Sequence, residues 1–144
     1  MEYAIKPLDI TDYNDLISLW QACGLPHRPK GRDSRESLRR EFIREETCFL
    51  GLYDDDKLIG SIIGSSDGRK GWINRLAVHP DYRGKKLAGI LIKACEEFLH
   101  DLGLEVIACL VEDWNTPSLS TFKNAGYDIT NEILYCSKRP SDDA

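Results

Sequence analysis

The chain has 144 residues, a formal net charge of −5, 42% apolar residues and 30% charged residues. That length can bury one sizeable core, and the acidic balance argues against a general nucleic-acid binder, whose domains are basic. No apolar run approaches the ~20 residues a membrane helix needs, and the opening MEYAIKPLDI lacks a secretory pattern, so one cytoplasmic domain over residues 1–144 is expected.

In chain order, residues 2–7 make a first strand closed by Pro7. Thr11 is a candidate N-cap for a helix from about Asp12 to Ala22, with Leu16, Ile17, Leu19 and Trp20 on its apolar side. Gly24 ends that helix. Residues 25–33, LPHRPKGRD, hold two prolines, a glycine and three basic groups and read as a loop. Ser34 caps a second helix reaching about Glu45, with Leu38, Phe42 and Ile43 inward. A hairpin follows: Thr47 to Tyr53, a turn at Asp54-Asp55-Asp56-Lys57, and a return strand Leu58 to Ser65. The aspartate triplet lacks calcium-loop spacing and reads as a solvated turn. A turn at Ser66-Asp67-Gly68-Arg69 leads into a strand over 71–78, which Pro80 stops.

Arg83-Gly84-Lys85-Lys86 then precedes a helix marked by Leu87, Leu91, Ala94 and Phe98 at three- and four-residue spacing, with Gly103 just past its end. Glu105 to Val111 is a strong strand, and Asn115 or Thr116 caps a helix carrying Pro117 in its first turn and ending at Gly126. Tyr127 to Ser137 reads as closing β structure, followed by a loose polar tail from about Lys138. The cysteines, Cys23, Cys48, Cys95, Cys109 and Cys136, are odd in number and include no Cys-x-x-Cys pair. Reduced thiols are therefore expected, and His27, His79 and His100 lie too far apart in sequence to suggest a metal site.

The strand, basic loop and helix over residues 72–102 make an anion site on physical grounds alone. The first N–H groups of a helix have no internal partner, and the helix dipole favours negative charge there. Gly84 lets backbone approach a guest, while Arg83, Lys85 and Lys86 add positive charge, so a diphosphate suits the site. A solvated basic turn before an ordinary helix is the plainer reading of the same spacing.

The segment HPDYRGKKLAGILI resembles the acyl-CoA-binding segment of the GNAT family of N-acetyltransferases, with its Arg/Gln-x-x-Gly-x-Gly/Ala signature. It runs here as Arg83-Gly84-Lys85-Lys86-Leu87-Ala88, with Lys86 where the family usually has glycine. A second stretch, from Asn115 through Ser118 and Phe122 to Gly126-Tyr127, is similar to the family's Asn-x-x-Ala-x-x-x-Tyr-x-x-x-Gly-Phe/Tyr. The expected order, β-α-α-β-β-β-α-β-α-β, covers nearly all of residues 2–137. The resemblance implies an α/β (α+β) fold: one mixed, mostly antiparallel sheet, splayed between its fourth and fifth strands, with helices on both faces.

The resemblance also implies acetyl-CoA as cofactor and acetyl transfer to a primary amine, of a small molecule or a peptide, by direct attack on the thioester. Backbone groups at Leu76, Ala77 and Val78 are expected to hold the pantetheine arm and the thioester oxygen, with Leu76 in the oxyanion-donor region. Arg83, Gly84, Lys85, Lys86, Leu87 and Ala88 would take the diphosphate, and Asn115, Ser118 and Phe122 would complete the cofactor contacts. Phe122 replaces the tyrosine that protonates the leaving thiolate, which leaves transfer without a protein acid, transfer using Cys109 or water, or binding without transfer. Glu112 is the candidate base, with Asn74 beside it; both also read as ordinary loop and strand residues. Trp20, His27, Arg28, Lys30 and Arg32, with the region after Ile129, are expected to select the acceptor, and their charge suits a carboxylate or phosphate. The competing function is a CoA-binding sensor or regulatory module, motivated by Phe122 and Lys86. No nucleic acid, membrane or metal is expected, and a homodimer through the C-terminal strand is compatible with this fold. A Rossmann-type site is disfavoured because no Gly-x-Gly-x-x-Gly follows an early strand.

Overall fold

The computed structural model describes residues 3–144, so Glu2 of the expected first strand lies outside the described residues. Five strands form one sheet in the order β1-β2-β3-β4-β5. They are β1 (Tyr3–Pro7), β2 (Thr47–Asp54), β3 (Lys57–Ser66), β4 (Gly71–Val78) and β5 (Ile107–Cys109). The first four pair antiparallel, as short connections allow, and β5 joins β4 in parallel after a helical crossover.

The helices are α1 (Tyr13–Ala22), α2 (Arg35–Phe42), α3 (Leu87–Asp101) and α4 (Thr116–Asn124). Two apolar clusters place them on opposite faces. Leu16, Leu19 and Trp20 of α1 and Leu38 of α2 pack on one side with Phe49, Ile63 and Ala77. Leu87, Leu91, Ile92, Cys95 and Leu99 of α3 pack on the other with Ile62 and Ile73, joined by Phe122 of α4.

Glycines set how closely α3 lies on the sheet. A β-carbon placed on Gly64 falls 2.5 Å from Cys95 Sγ, and one on Gly71 falls 2.9 Å from Leu99 Cδ1. One on Gly60 falls 3.0 Å from Leu91 Cδ1. Leu91, Cys95 and Leu99 are spaced by four, which aligns them along one helix face. This stripe therefore sits in a trough of glycines, deeper than side chains on the strands would allow.

Several boundaries differ from the sequence reading, each for a local reason. Asp9, not Thr11, caps the start of the first helical segment. Its carboxylate accepts from Thr11 N at 2.8 Å and from the Thr11 hydroxyl, and Asp12 returns the bond to Asp9 N at 3.0 Å. This capping box closes a 3-10 turn over Ile10–Asp12 before α1 begins. Ser34 does cap α2, accepting from Ser37 N, although that helix stops at Phe42. The strand read over 105–111 contracts to Ile107–Cys109: β4 begins only at Gly71, opposite Ile107, and its ladder with β5 stops at Ile73, just before the bulge. The expected closing β structure over 127–137 does not form among the described residues. Ile133, Leu134 and Tyr135 are exposed there, so β propensity without a paired strand did not produce a ladder.

Candidate active site

The organising feature is a bulge in β4. Ser61 pairs with Ala77 and Ile63 with Asn74, so β4 carries one more residue than β3 across that interval. Arg75 absorbs it in a left-handed conformation at φ +53°. The pairing of β4 with β5 ends at Ile73–Cys109, just before the bulge. Beyond that point β4 runs on with no ladder partner on its β5 side, and the sheet forks.

Antiparallel pairing fixes which backbone groups enter the fork. His79 N–H donates to Ile59 O at 2.7 Å, toward β3. Alternation then turns the N–H groups of Val78 and Leu76 toward the open side, whereas Ala77 faces β3. The carbonyl of Val78 accepts from Arg83 Nε at 3.2 Å and from Cys23 Sγ at 3.4 Å. Burial pushes the Cys23 thiol up, and the nearby Arg83 guanidinium opposes that shift.

The loop into α3 lies at the same end of β4. His79 Nδ1 accepts from Asp81 N at 3.2 Å and caps the 3-10 turn Pro80–Tyr82, a structural role. Gly84 takes φ +79°, and a β-carbon there would meet nothing within 4 Å, so this stretch of backbone is open to approach. Lys86, at the N-cap of α3, is left-handed at φ +60° and makes no side-chain capping bond. The family's usual glycine at this position thus has a physical reason, and Lys86 meets the same backbone requirement with a β-carbon present. The first turn of α3 keeps its N–H groups uncapped by side chains and contains no acidic residue. Lys85 Nζ sits 5.3 Å from the ring centre of Tyr82, whose hydroxyl donates to Asp54 at 2.6 Å. That bond raises the Tyr82 phenol to about 12.

On the β5 side, Asn115 Oδ1 accepts from Ser118 N at 3.3 Å and caps α4, with Pro117 in the first turn. Phe122 is buried, edge-to-face with Tyr127 at 5.2 Å. Tyr127 donates to Glu96 at 2.7 Å, and burial together with that bond holds its proton firmly. Cys109, at the crotch of the fork, is raised to about 11 by burial and keeps its proton at neutral pH. Glu112 and Asn74 are exposed, and no side-chain hydrogen bond engages either among the described residues. Glu112 follows β5 at the open end of the fork, and Asn74 stands directly after the last paired residue of β4.

The opposite face holds a network that the sequence reading missed. Arg75 Nη2 pairs with Asp33 Oδ2 at 3.0 Å, Nη1 donates to Pro26 O, and the guanidinium lies 4.8 Å over the Trp20 ring. Trp20 Nε1 donates to Ser61 Oγ at 3.1 Å, and Ser61 donates to Arg75 O at 3.2 Å. Trp20 is fully buried, so it supports this network rather than lining an acceptor site as expected. Asp33 closes the 25–33 loop by also accepting from Arg28 N at 2.7 Å. The clue in the sequence was a lone aspartate ending a basic loop, but its partner lies 42 residues away and no spacing rule reaches it.

A forked sheet with inward backbone donors beside an uncapped, basic helix start is an arrangement that suits an extended ligand carrying an anionic group. The sequence profile described as the acetyltransferase (GNAT) family matches residues 13–127. An acetyltransferase of Sodalis glossinidius is 32% identical over 132 residues, covering 92% of each chain. An uncharacterised N-acetyltransferase of Yersinia pestis is 29% identical over 123 residues, covering 85% of this chain and 86% of its own. Among solved structures, the PaiA N-acetyltransferase of Thermoplasma acidophilum in complex with coenzyme A superposes with a TM-score of 0.82 at 23% identity, over 92% of this chain and 94% of that one. The aminoglycoside acetyltransferase AAC(6')-Iy with a bisubstrate analogue gives 0.81 at 17% identity, over 96% and 99%. The chain belongs to the GNAT family and is an acetyltransferase that draws its acetyl group from acetyl-CoA. The residues fit that donor: the first turn of α3 is uncapped, Gly84 is open, and two N–H groups of β4 face the fork.

Proposed function

We propose that this protein acetylates a primary amine of a small molecule or peptide at the β4–β5 fork, by direct attack of the amine on the thioester. The observation that supports this most is the Arg75 bulge, which ends β4–β5 pairing at Ile73 and leaves the N–H groups of Leu76 and Val78 facing open space. Acetyl-CoA supplies an activated acyl carbon with a good thiolate leaving group. The Leu76 N–H is the donor for the thioester oxygen, where negative charge develops, and such preorganised donors commonly supply ~2.7–4 kcal/mol. Val78 N–H holds the arm; the Ala77 backbone, expected to share that role, is turned to β3 by the strand alternation and does not reach the fork.

The diphosphate is held by the N–H groups at the start of α3, around Leu87 and Ala88, with Gly84, Lys85 and Lys86 around it. Arg83 joins by turning from the Val78 carbonyl or contacts the ligand from where it stands. Asn115 and Ser118 complete the wall on the α4 side; Phe122, expected among the cofactor contacts, is packed in the core behind them. Glu112 accepts the amine proton directly or through water, with Asn74 orienting that water. Cys109 is the protonated group at the crotch of the fork, and Tyr127 is committed to Glu96.

The test begins with thermal melting in saturating CoA, acetyl-CoA, ATP or NAD, because a ligand that binds only the folded state raises its stability. A rise with both CoA species and not with ATP or NAD is expected, followed by free-thiol release with an amine panel. No rise with either CoA species overturns the reading. Glu112→Gln is expected to lower kcat/KM by roughly 10²–10⁴-fold with the CoA-induced rise in melting temperature intact; an unchanged kcat/KM returns Glu112 to the loop.

A further inference from the structure

The 25–33 loop concentrates cations that the fold does not neutralise. The Arg28 backbone N–H and the Arg75 guanidinium meet at the same Asp33 carboxylate oxygen. Burial chiefly disfavours the Arg75 charge, Asp33 opposes that, and Arg32 and Arg28 add smaller repulsions. Asp33 is the carboxylate facing these groups from the loop, and it is 5% exposed and already spent on Arg75 and the Arg28 backbone. Two other acidic segments pack nearby: Glu41 of α2, and the stretch at Asp143, whose carbonyl crowds the place a β-carbon on Gly31 would take, without its carboxylate pairing with Arg28 or Arg32. Burial and Asp33 both raise Glu41, and Arg44 is the cation that holds it down. No carboxylate pairs with Arg28 or Arg32 among the described residues, and Arg28 Nε is buried with no hydrogen-bond partner.

Arg28 is half-buried and Arg32 exposed, and a shielded guanidinium N–H such as Arg28 Nε is costly to leave without an acceptor. Its planar fork suits a carboxylate or a phosphate, which it can bind through two parallel bonds. The loop is fastened to Arg75, and Arg75 precedes Leu76 in the bulge. The uncommitted guanidinium is therefore tied to the strand residue that faces the reacting carbonyl.

We infer that the acceptor carries an anionic group, carboxylate or phosphate, which Arg28 and Arg32 bind while its amine enters the fork. Asp33 acts as a positioning residue, holding the loop and Arg75 in place. This rests on the reading of the fork as the site of transfer.

Matched acceptor pairs test it: O-phosphoethanolamine against ethanolamine, and β-alanine against its amide. Each is assayed by thiol release and by melting of the CoA-saturated protein. Wild type is expected to favour the anionic member of at least one pair tenfold or more in kcat/KM, or to be stabilised by that member alone. The pair that responds distinguishes phosphate from carboxylate. The double variant Arg28→Gln/Arg32→Gln is expected to erase the preference, and Arg28→Lys/Arg32→Lys to restore part of it, with the CoA-induced rise in melting temperature intact in both. Preference for the neutral members, or an anionic preference or shift equal in wild type and the Gln variant, overturns the inference. So does the absence of both preference and shift in wild type. Loss of the CoA shift in the Gln variant overturns it too, by assigning these arginines to the nucleotide. Failure of wild type to respond to CoA at all is a different result and rejects the fork as the transfer site.

Discussion

Lys86 occupies left-handed backbone at the start of α3, φ +60°, where a β-carbon crowds the following carbonyl. Lys86→Gly is expected to stabilise the protein by about 0.5–1 kcal/mol, since relief of that strain exceeds the extra entropy glycine brings to the unfolded chain. Urea unfolding of the two proteins measures it, and a destabilised variant would show that the lysine side chain contributes more than its backbone strain costs. Phe122 is a different kind of departure. Its ring is buried, so Phe122→Tyr tests whether that position communicates with the fork. Acetyl transfer is expected to be retained or increased; complete loss with CoA binding intact would place the ring away from the reacting sulfur. Cys109 gives a pH signature. Its folded value, about 11, lies above the ordinary 9.0, so its stabilising contribution is fully present below pH 9 and disappears as pH rises toward 11. Wild type should therefore lose more melting temperature between pH 8 and 10.5 than Cys109→Ala does.

The β4 strand joins two functions through one extra residue. Asp33→Ala removes the partner of a mostly buried guanidinium and the acceptor of the Arg28 N–H. The expected loss is about 2–4 kcal/mol of stability, together with transfer activity, because the loop and the bulge share that carboxylate. Denaturant unfolding and thiol release measure the two losses. The bulge was not legible in the sequence: Arg75 sits among Ile73, Asn74 and Leu76 with no glycine to mark left-handed backbone. Helical spacing from Leu87 onward, the Ser34 and Asn115 caps and the β2–β3 hairpin were legible because each is a local pattern. The C-terminal stretch shows the converse. Ile133, Leu134 and Tyr135 have strand-forming chemistry, yet pairing is non-local and propensity cannot supply it.

Across the whole molecule, an acidic protein presents basic groups at two places beside one fork: Arg83, Lys85 and Lys86 before α3, and Arg28 with Arg32 on the opposite face. The first set is exposed and therefore screened by salt, so CoA affinity is expected to weaken several-fold between 50 mM and 500 mM salt. Titration by calorimetry at the two ionic strengths measures it. The donor half of the site was readable because it is a contiguous motif, whereas the acceptor half depends on Arg75 meeting Asp33 across 42 residues. The glycine trough beneath α3 links packing depth to catalysis. Raising that helix by the width of a methyl group at Gly64, where a β-carbon would meet Cys95 Sγ at 2.5 Å, tilts or lifts a rod whose far tip is the diphosphate cradle. Gly64→Ala thus works as a lever: a change in the core, touching no ligand, that moves the cradle relative to the fork and shows itself as a higher KM for acetyl-CoA.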